Sequence, residues 1–143
     1  MGRIFFNAKK ETHDIDGAYS VKTSDSGKVF TLSATGGTVA VTLPTLSGTI
    51  ANDNLAQQGT YYKFIVKEDT PSNAITIGAG GALIDLVMKD PGGNASNCTA
   101  DTAVSNIIVG TSAKQGDYIN LFHDGTSWYG ECLSSVDDAV TTS

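Results

Sequence analysis

Apolar and polar positions alternate with a period of two along most of the chain, in short runs punctuated by Gly, Asn, Asp and Ser. The clearest run is Gly116 to Cys132. There Tyr118, Asn120 and Phe122 alternate with Ile119 and Leu121, Asp124-Gly125 supplies a turn tolerant of positive φ, and Trp128-Tyr129 restarts a strand at once. This predicts a β-hairpin whose buried face carries the only tryptophan. Upstream, Tyr19 to Ser33 reads as two strands around a Ser24-Asp25-Ser26-Gly27 turn, with Phe30 and Leu32 on one face. Gly36-Gly37 reads as a hairpin turn leading into Val39, Val41 and Leu43, whose alternation ends at Pro44. Tyr61 to Glu68 is the densest run of β-formers and predicts a central strand with Tyr62, Phe64 and Val66 inward. Asp69 to Asn73 turns the chain into Ala74–Ile77, which is expected to complete another hairpin. Asn106–Val109 is a further short strand. The expected core is Phe30, Leu32, Val41, Leu43, Phe64, Val66, Leu121 and Trp128.

The pattern weakens in four places. Residues 1–18 form an expected N-terminal arm, in which Ile4-Phe5-Phe6 precede a polar, charged run. Leu46 to Gly59 is polar, with one turn of helix around Asp53 to Gln58. Within the expected β-domain, residues 19–133, the stretch 78–103 is a glycine-rich excursion interrupted by Ala82 to Met88, a short strand or a loop tip that packs on another subunit. Residues 134–143 are a small-residue, acidic tail with too little apolar area to hold itself down.

Frequent Gly, Ser and Thr and short apolar runs favour turns and strands over helices, so the fold class expected is all-β: a β-sandwich or jelly-roll-like domain with short hairpins and little helix. A chain of 143 residues suits one domain. A net charge of −6, with nine scattered Lys and Arg, argues against nucleic acid as a partner. No apolar run reaches the roughly 20 residues that span a bilayer, and the start of the chain lacks a signal-peptide pattern. The expectation is a protein made in the cytoplasm, without a membrane partner. Cys98 and Cys132 are then read as reduced, mostly buried thiols, and their spacing matches no zinc motif.

Candidate chemistry is sparse. His13-Asp14-Ile15-Asp16-Gly17 begins like a calcium loop but lacks the closing acidic ligand, so a solvated turn is expected. Asp117, Asp124 and Glu131 surround the last hairpin in the way paired carboxylates flank a sugar, although turn and edge positions explain them more simply. His123 beside Asp124 is read as a loop histidine, because adjacency in sequence does not define a catalytic pair. Tyr118, Trp128 and Tyr129 are weighed as an aromatic sugar platform against core or subunit-interface anchors, with the latter preferred. No catalytic residue, cofactor, metal or small-molecule substrate is expected. Ile4, Phe5, Phe6, Leu83, Ile84, Leu86, Val87 and Met88 are the candidate interface, being apolar segments hard to bury in a small domain.

The order Ser24-Asp25-Ser26-Gly27-Lys28-Val29-Phe30, Val41-Thr42-Leu43-Pro44, Tyr62-Lys63-Phe64, then Gly116-Asp117 with Asp124-Gly125-Thr126-Ser127-Trp128 resembles small virion proteins of tailed bacteriophages, over roughly Tyr19 to Cys132. Among these it is most similar to head decoration (cement) proteins. The resemblance implies a non-enzymatic structural protein on the outer capsid surface of the virion, a homotrimer whose partner is the major capsid protein and which stabilises the shell by bridging capsid subunits. The alternative it leaves open is a tail-fibre or spike module that binds a host surface glycan.

Overall fold

The structure, a computed structural model, describes residues 12–45, 58–91 and 98–143. The strands are β1 (Thr12–Ile15), β2 (Ala18–Ser20), β3 (Val29–Leu32), β4 (Val39–Thr42), β5 (Tyr61–Val66), β6 (Ile75–Gly78), β7 (Ile84–Lys89), β8 (Thr99–Val104), β9 (Asn106–Val109), β10 (Tyr118–His123), β11 (Trp128–Leu133) and β12 (Val140–Thr142), with one 3-10 turn at Thr23–Asp25. They form two sheets packed face to face, a seven-stranded one ordered β1-β3-β5-β10-β11-β7-β8 and a five-stranded one ordered β12-β9-β6-β4-β2. The fold is an all-β sandwich.

The first six strands alternate between the sheets. β1, β3 and β5 pair in parallel in one, and β2, β4 and β6 pair in parallel in the other. The β1–β2, β3–β4 and β5–β6 links are therefore arches between layers, and these three arches stack in register. Two expectations are corrected by this: Gly36-Gly37 and Asp69 to Asn73 do not close hairpins, because the strands they join lie in different sheets. Side chains hold the arches together. Glu68 accepts hydrogen bonds from the Ser33 hydroxyl and the Ala34 amide, and Asn73 Nδ2 donates to the Ala34 carbonyl at 2.9 Å. The hairpin expectation does hold for β10 and β11, where Tyr118 faces Leu133 and His123 faces Trp128.

Stacking in register makes rows of like side chains. Val39, Ile75, Val109 and Val140 line up across the smaller sheet, and Phe30 stacks on Phe64 with ring centroids 5.3 Å apart. All eight expected core residues are buried, and Trp128 and Tyr62 are the largest side chains among the fully buried ones. In the row Tyr62-Leu121-Gly130-Leu86, a Cβ on Gly130 would lie 2.5 Å from the Asn120 carbonyl oxygen and from Leu121 Cδ2. The two leucines close over the glycine, which is the packing reason for a glycine inside a strand.

The expected boundaries shift at three points. Residues 12–18 of the expected arm supply β1 and the start of β2, and the excursion 78–103 supplies β7 and part of β8. The C-terminal tail is not loose: Ala139 and Val140 are buried, and β12 pairs with β9. Ser143 exchanges backbone hydrogen bonds with Asn106, and Asp117 accepts from the Ser135 amide (2.9 Å) and hydroxyl (2.7 Å). Long-range backbone pairing and one buried carboxylate supply what the tail's apolar area does not. The helical turn expected around Asp53 to Gln58 lies largely outside the described residues.

Candidate binding face

The outer face of the seven-stranded sheet carries the side chains that alternate with the core. Strand register sets them in rows. Tyr61, Phe122, Tyr129 and Asp85 form one row across β5, β10, β11 and β7, and Lys63, Asn120, Glu131 and Val87 form the next. A third contains Ile65, Tyr118, Leu133 and Lys89. Tyr61, Phe122, Val87 and Leu133 are among the exposed large apolar side chains, with Phe122 half exposed at 50 %.

Local contacts fix these groups. Phe122 and Tyr129 stack with centroids 5.5 Å apart and planes 24° from parallel. Tyr61 lies against Gly27, whose φ of 87° and lack of a side chain leave room for the ring. Asn120 Nδ2 donates to Glu131 Oε1 at 3.1 Å, and the Lys63 ammonium sits 4.5 Å above the Tyr118 ring. All of these but Tyr118 line an open groove of about 700 Å³ that runs from Gly27–Val29 across β5, β10, β11 and β7 to Ala100–Thr102 on β8. Its size and its mainly apolar lining with few polar groups are those of small-ligand sites.

The candidate interface residues part company here. Leu83 and Val87 are exposed and Met88 is partly buried against the core. Ile84 and Leu86 are corrected: at 0 and 1 % exposure they belong to the protein's own core, because the run forms β7 inside the large sheet and every second side chain turns inward. Ile4, Phe5 and Phe6 lie outside the described residues.

The aromatic and acidic candidates are likewise separated. Tyr118 and Tyr129 are on the outer face, whereas Trp128 is buried, its indole N–H without a hydrogen-bond partner among the described residues. His123 is a core residue and no loop histidine. It is fully buried, its ring lies edge-on to Trp128 at 4.8 Å, and its Nδ1 accepts the Gly125 N–H. Asp124 caps the hairpin turn by accepting the Thr126 and Ser127 amides, and these bonds hold its carboxyl below the usual range. Asp117 is buried in the network with Ser135 and Lys114, so of the three acids only Glu131 lines the groove. Tyr61 and Phe122 were not singled out from the sequence as platform residues. The signal was present, since an alternation that turns Tyr62 and Leu121 inward turns their neighbours outward.

Elsewhere, Asp14 bonds the Lys67 ammonium and the Thr31 hydroxyl. Asp90, Asp137 and Asp138 bring one carboxylate oxygen each within 4.8 Å of one another at a solvated corner. Both cysteines are free. Cys98 is exposed, against expectation, and Cys132 is buried, its thiol pushed up to about 12 by burial and then by Asp117 and Asp90. A thiol so protonated is a packing group. Comparisons with family models, with curated proteins and with solved structures find no match.

Proposed function

We propose that the protein is a non-enzymatic, adhesive component of a tailed-phage virion, placed on the outside of the head, where a trimer bridges subunits of the major capsid protein. The observation that carries the adhesive reading is the collection of Tyr61, Phe122, Tyr129, Val87 and Leu133 on one outer sheet face. The core is complete without them, and contiguous apolar surface on a stable domain marks an interaction site. The placement on a phage head rests on the resemblance in strand and turn order described above. Binding that favours the assembled shell raises its stability by mass action. The exposed Leu83 and Val87 remain the described candidates for contacts between subunits.

Locating the protein on intact particles by labelled electron microscopy tests the placement, together with the heat resistance of particles that have and lack it. Head labelling and lower resistance without the protein are the expected results. Labelling confined to the tail tip sinks the head placement. The second reading, a tail-fibre or spike module that holds a host surface glycan, is favoured by a specific feature: the apolar face is grooved and carries aromatic rings beside amide and carboxylate groups.

A further inference from the structure

We propose that the groove on the seven-stranded sheet binds a neutral saccharide chain. The inference rests on the adhesive reading of that face and holds wherever on the particle the protein sits. Three observations carry it.

The first is shape and surface. A pyranose ring presents an apolar C–H face and a rim of hydroxyls, and it needs a flat π-surface with hydrogen-bonding groups beside it. Phe122 and Tyr129 stack on each other, which leaves each ring one face that the other does not cover, and Tyr61 stands beside Phe122 in the same cross-strand row. They stand on paired strands, so little ordering is required when a ligand arrives.

The second is the adjacent row. Asn120 and Glu131 lie two residues from Phe122 and Tyr129 along their strands, on the same side of the sheet. Their one mutual hydrogen bond uses a single amide hydrogen and a single carboxylate oxygen. The Asn120 carbonyl, its second N–H and the other Glu131 oxygen are left to face hydroxyl donors and acceptors.

The third is charge. Each charged side chain of the described groove wall has a partner within the protein: Lys28 with Asp25 at 2.7 Å, Lys63 on the Tyr118 ring, Asp85 with the Ala103 amide at 2.9 Å, Asp101 with the Thr142 hydroxyl, and Glu131 with Asn120 through one oxygen. The described wall carries three carboxylates, Asp85, Asp101 and Glu131, against two ammonium groups, Lys28 and Lys63, and this excess together with the chain's net charge of −6 opposes polyanions. A neutral polyhydroxylated chain, which needs hydrogen-bonding groups and no cationic site, fits these walls better than a phosphate or a sulfated glycan.

The test titrates the full chain with neutral hexaoses (maltohexaose, cellohexaose, mannohexaose and a galactan-derived hexaose) and with a heparin hexasaccharide, following amide chemical shifts. Saturable shifts centred on Phe122, Tyr129 and Glu131 are expected from at least one neutral hexaose at concentrations up to about 10 mM, a range that captures weak binding. That binding should be unchanged between about 50 and 500 mM salt, since no ion pair forms. Phe122→Ala and Tyr129→Ala should each weaken it at least about tenfold, a loss of about 1.4 kcal/mol. Both side chains lie on the solvent side of the sheet, so the variants remain folded.

No shift with any neutral hexaose overturns the proposal, as does binding of the heparin fragment alone or an affinity indifferent to Phe122→Ala. Should the hexaoses fail while Phe122→Ala still detaches the protein from particles, the adhesive reading stands and the saccharide is excluded. Should a hexaose bind while Phe122→Ala leaves attachment to particles intact, the saccharide site stands and the particle contact lies elsewhere.

Discussion

Tyr61 and Tyr62 are neighbours on one strand and belong to different economies of the molecule. Tyr62 is buried beside Trp128, its ring centroid 5.7 Å from the indole, and its hydroxyl donates to the Lys22 carbonyl at 2.8 Å. Tyr61 is 46 % exposed on the other side of the same sheet. The contrast repeats along β10 and β11: Leu121 and Trp128 are inside, Phe122 and Tyr129 outside. The inner aromatics are explained by the fold, because closing two sheets requires large apolar volume. The outer ones are not explained by the fold. A strand needs only a soluble residue there, so an aromatic row on that side is the part of the molecule that asks for a partner.

The strongest way to break this comparison is at Trp128. Trp128→Ala should cost about 3–5 kcal/mol in denaturant unfolding, the range for deleting a fully buried aromatic. A loss under about 1 kcal/mol, typical of surface positions, means that the inner face is not the core described here. Gly130 comes next, because it is the inward position where Leu86 and Leu121 meet. Gly130→Ala inserts a methyl against backbone and side chain at 2.5 Å and should cost about 1–3 kcal/mol by overpacking. Stability equal to the natural protein shows that the sheet can yield there.

How much of this was legible follows from what a period of two encodes. The alternation states which residues share a face, and it placed Phe30, Leu32, Val41, Leu43, Phe64, Val66, Leu121 and Trp128 inward as found. It does not state which strand pairs with which. Ser33 to Thr38 and Lys67 to Ala74 carry ordinary turn chemistry, yet they cross between sheets, because the Glu68 and Asn73 contacts that anchor the arches are 34 and 39 residues long-range. Ile84-Asp85-Leu86-Val87 already had the period. Treating the run as one apolar patch hid that Ile84 and Leu86 turn inward while Val87 turns out. The groove was illegible for the same reason: Phe122 with Tyr129 is a hairpin neighbour pair, but adding Tyr61 and Ala100 to one surface depends on sheet order.

Acid sharpens the comparison from the inner side. Asp25 accepts the Lys22 amide at 3.0 Å and so fixes the turn whose carbonyl receives the Tyr62 hydroxyl. Burial pushes its carboxyl upward, but the Lys28 ammonium and the Lys22 amide outweigh this and hold it below its ordinary value of 3.8. A carboxyl depressed in the folded state contributes stability above its unfolded pKa and loses it as pH falls through the folded one. Unfolding midpoints in urea should therefore be level from neutral pH to about 5 and drop below about pH 4. Asp25→Asn should be less stable than the natural protein at neutral pH and show a shallower acid drop. An unchanged acid limb in that variant removes Asp25 from the account.

The smallest expected effect tests the outer face itself. Phe122 touches Tyr129 across the hairpin and little else of the core, so Phe122→Ala forfeits one exposed cross-strand aromatic pair, a contact of about 0.2–1 kcal/mol. Its unfolding midpoint should lie close to that of the natural protein, far from that of Trp128→Ala. The comparison turns on the gap between the two variants, one on each side of the same hairpin and both losing a large aromatic. If Phe122→Ala costs as much as Trp128→Ala, the outer row is part of the stabilising core and its aromatics need no partner. If it costs almost nothing, their presence on a solvent face is left to function, and the same variant becomes the clean reagent for asking what the groove holds.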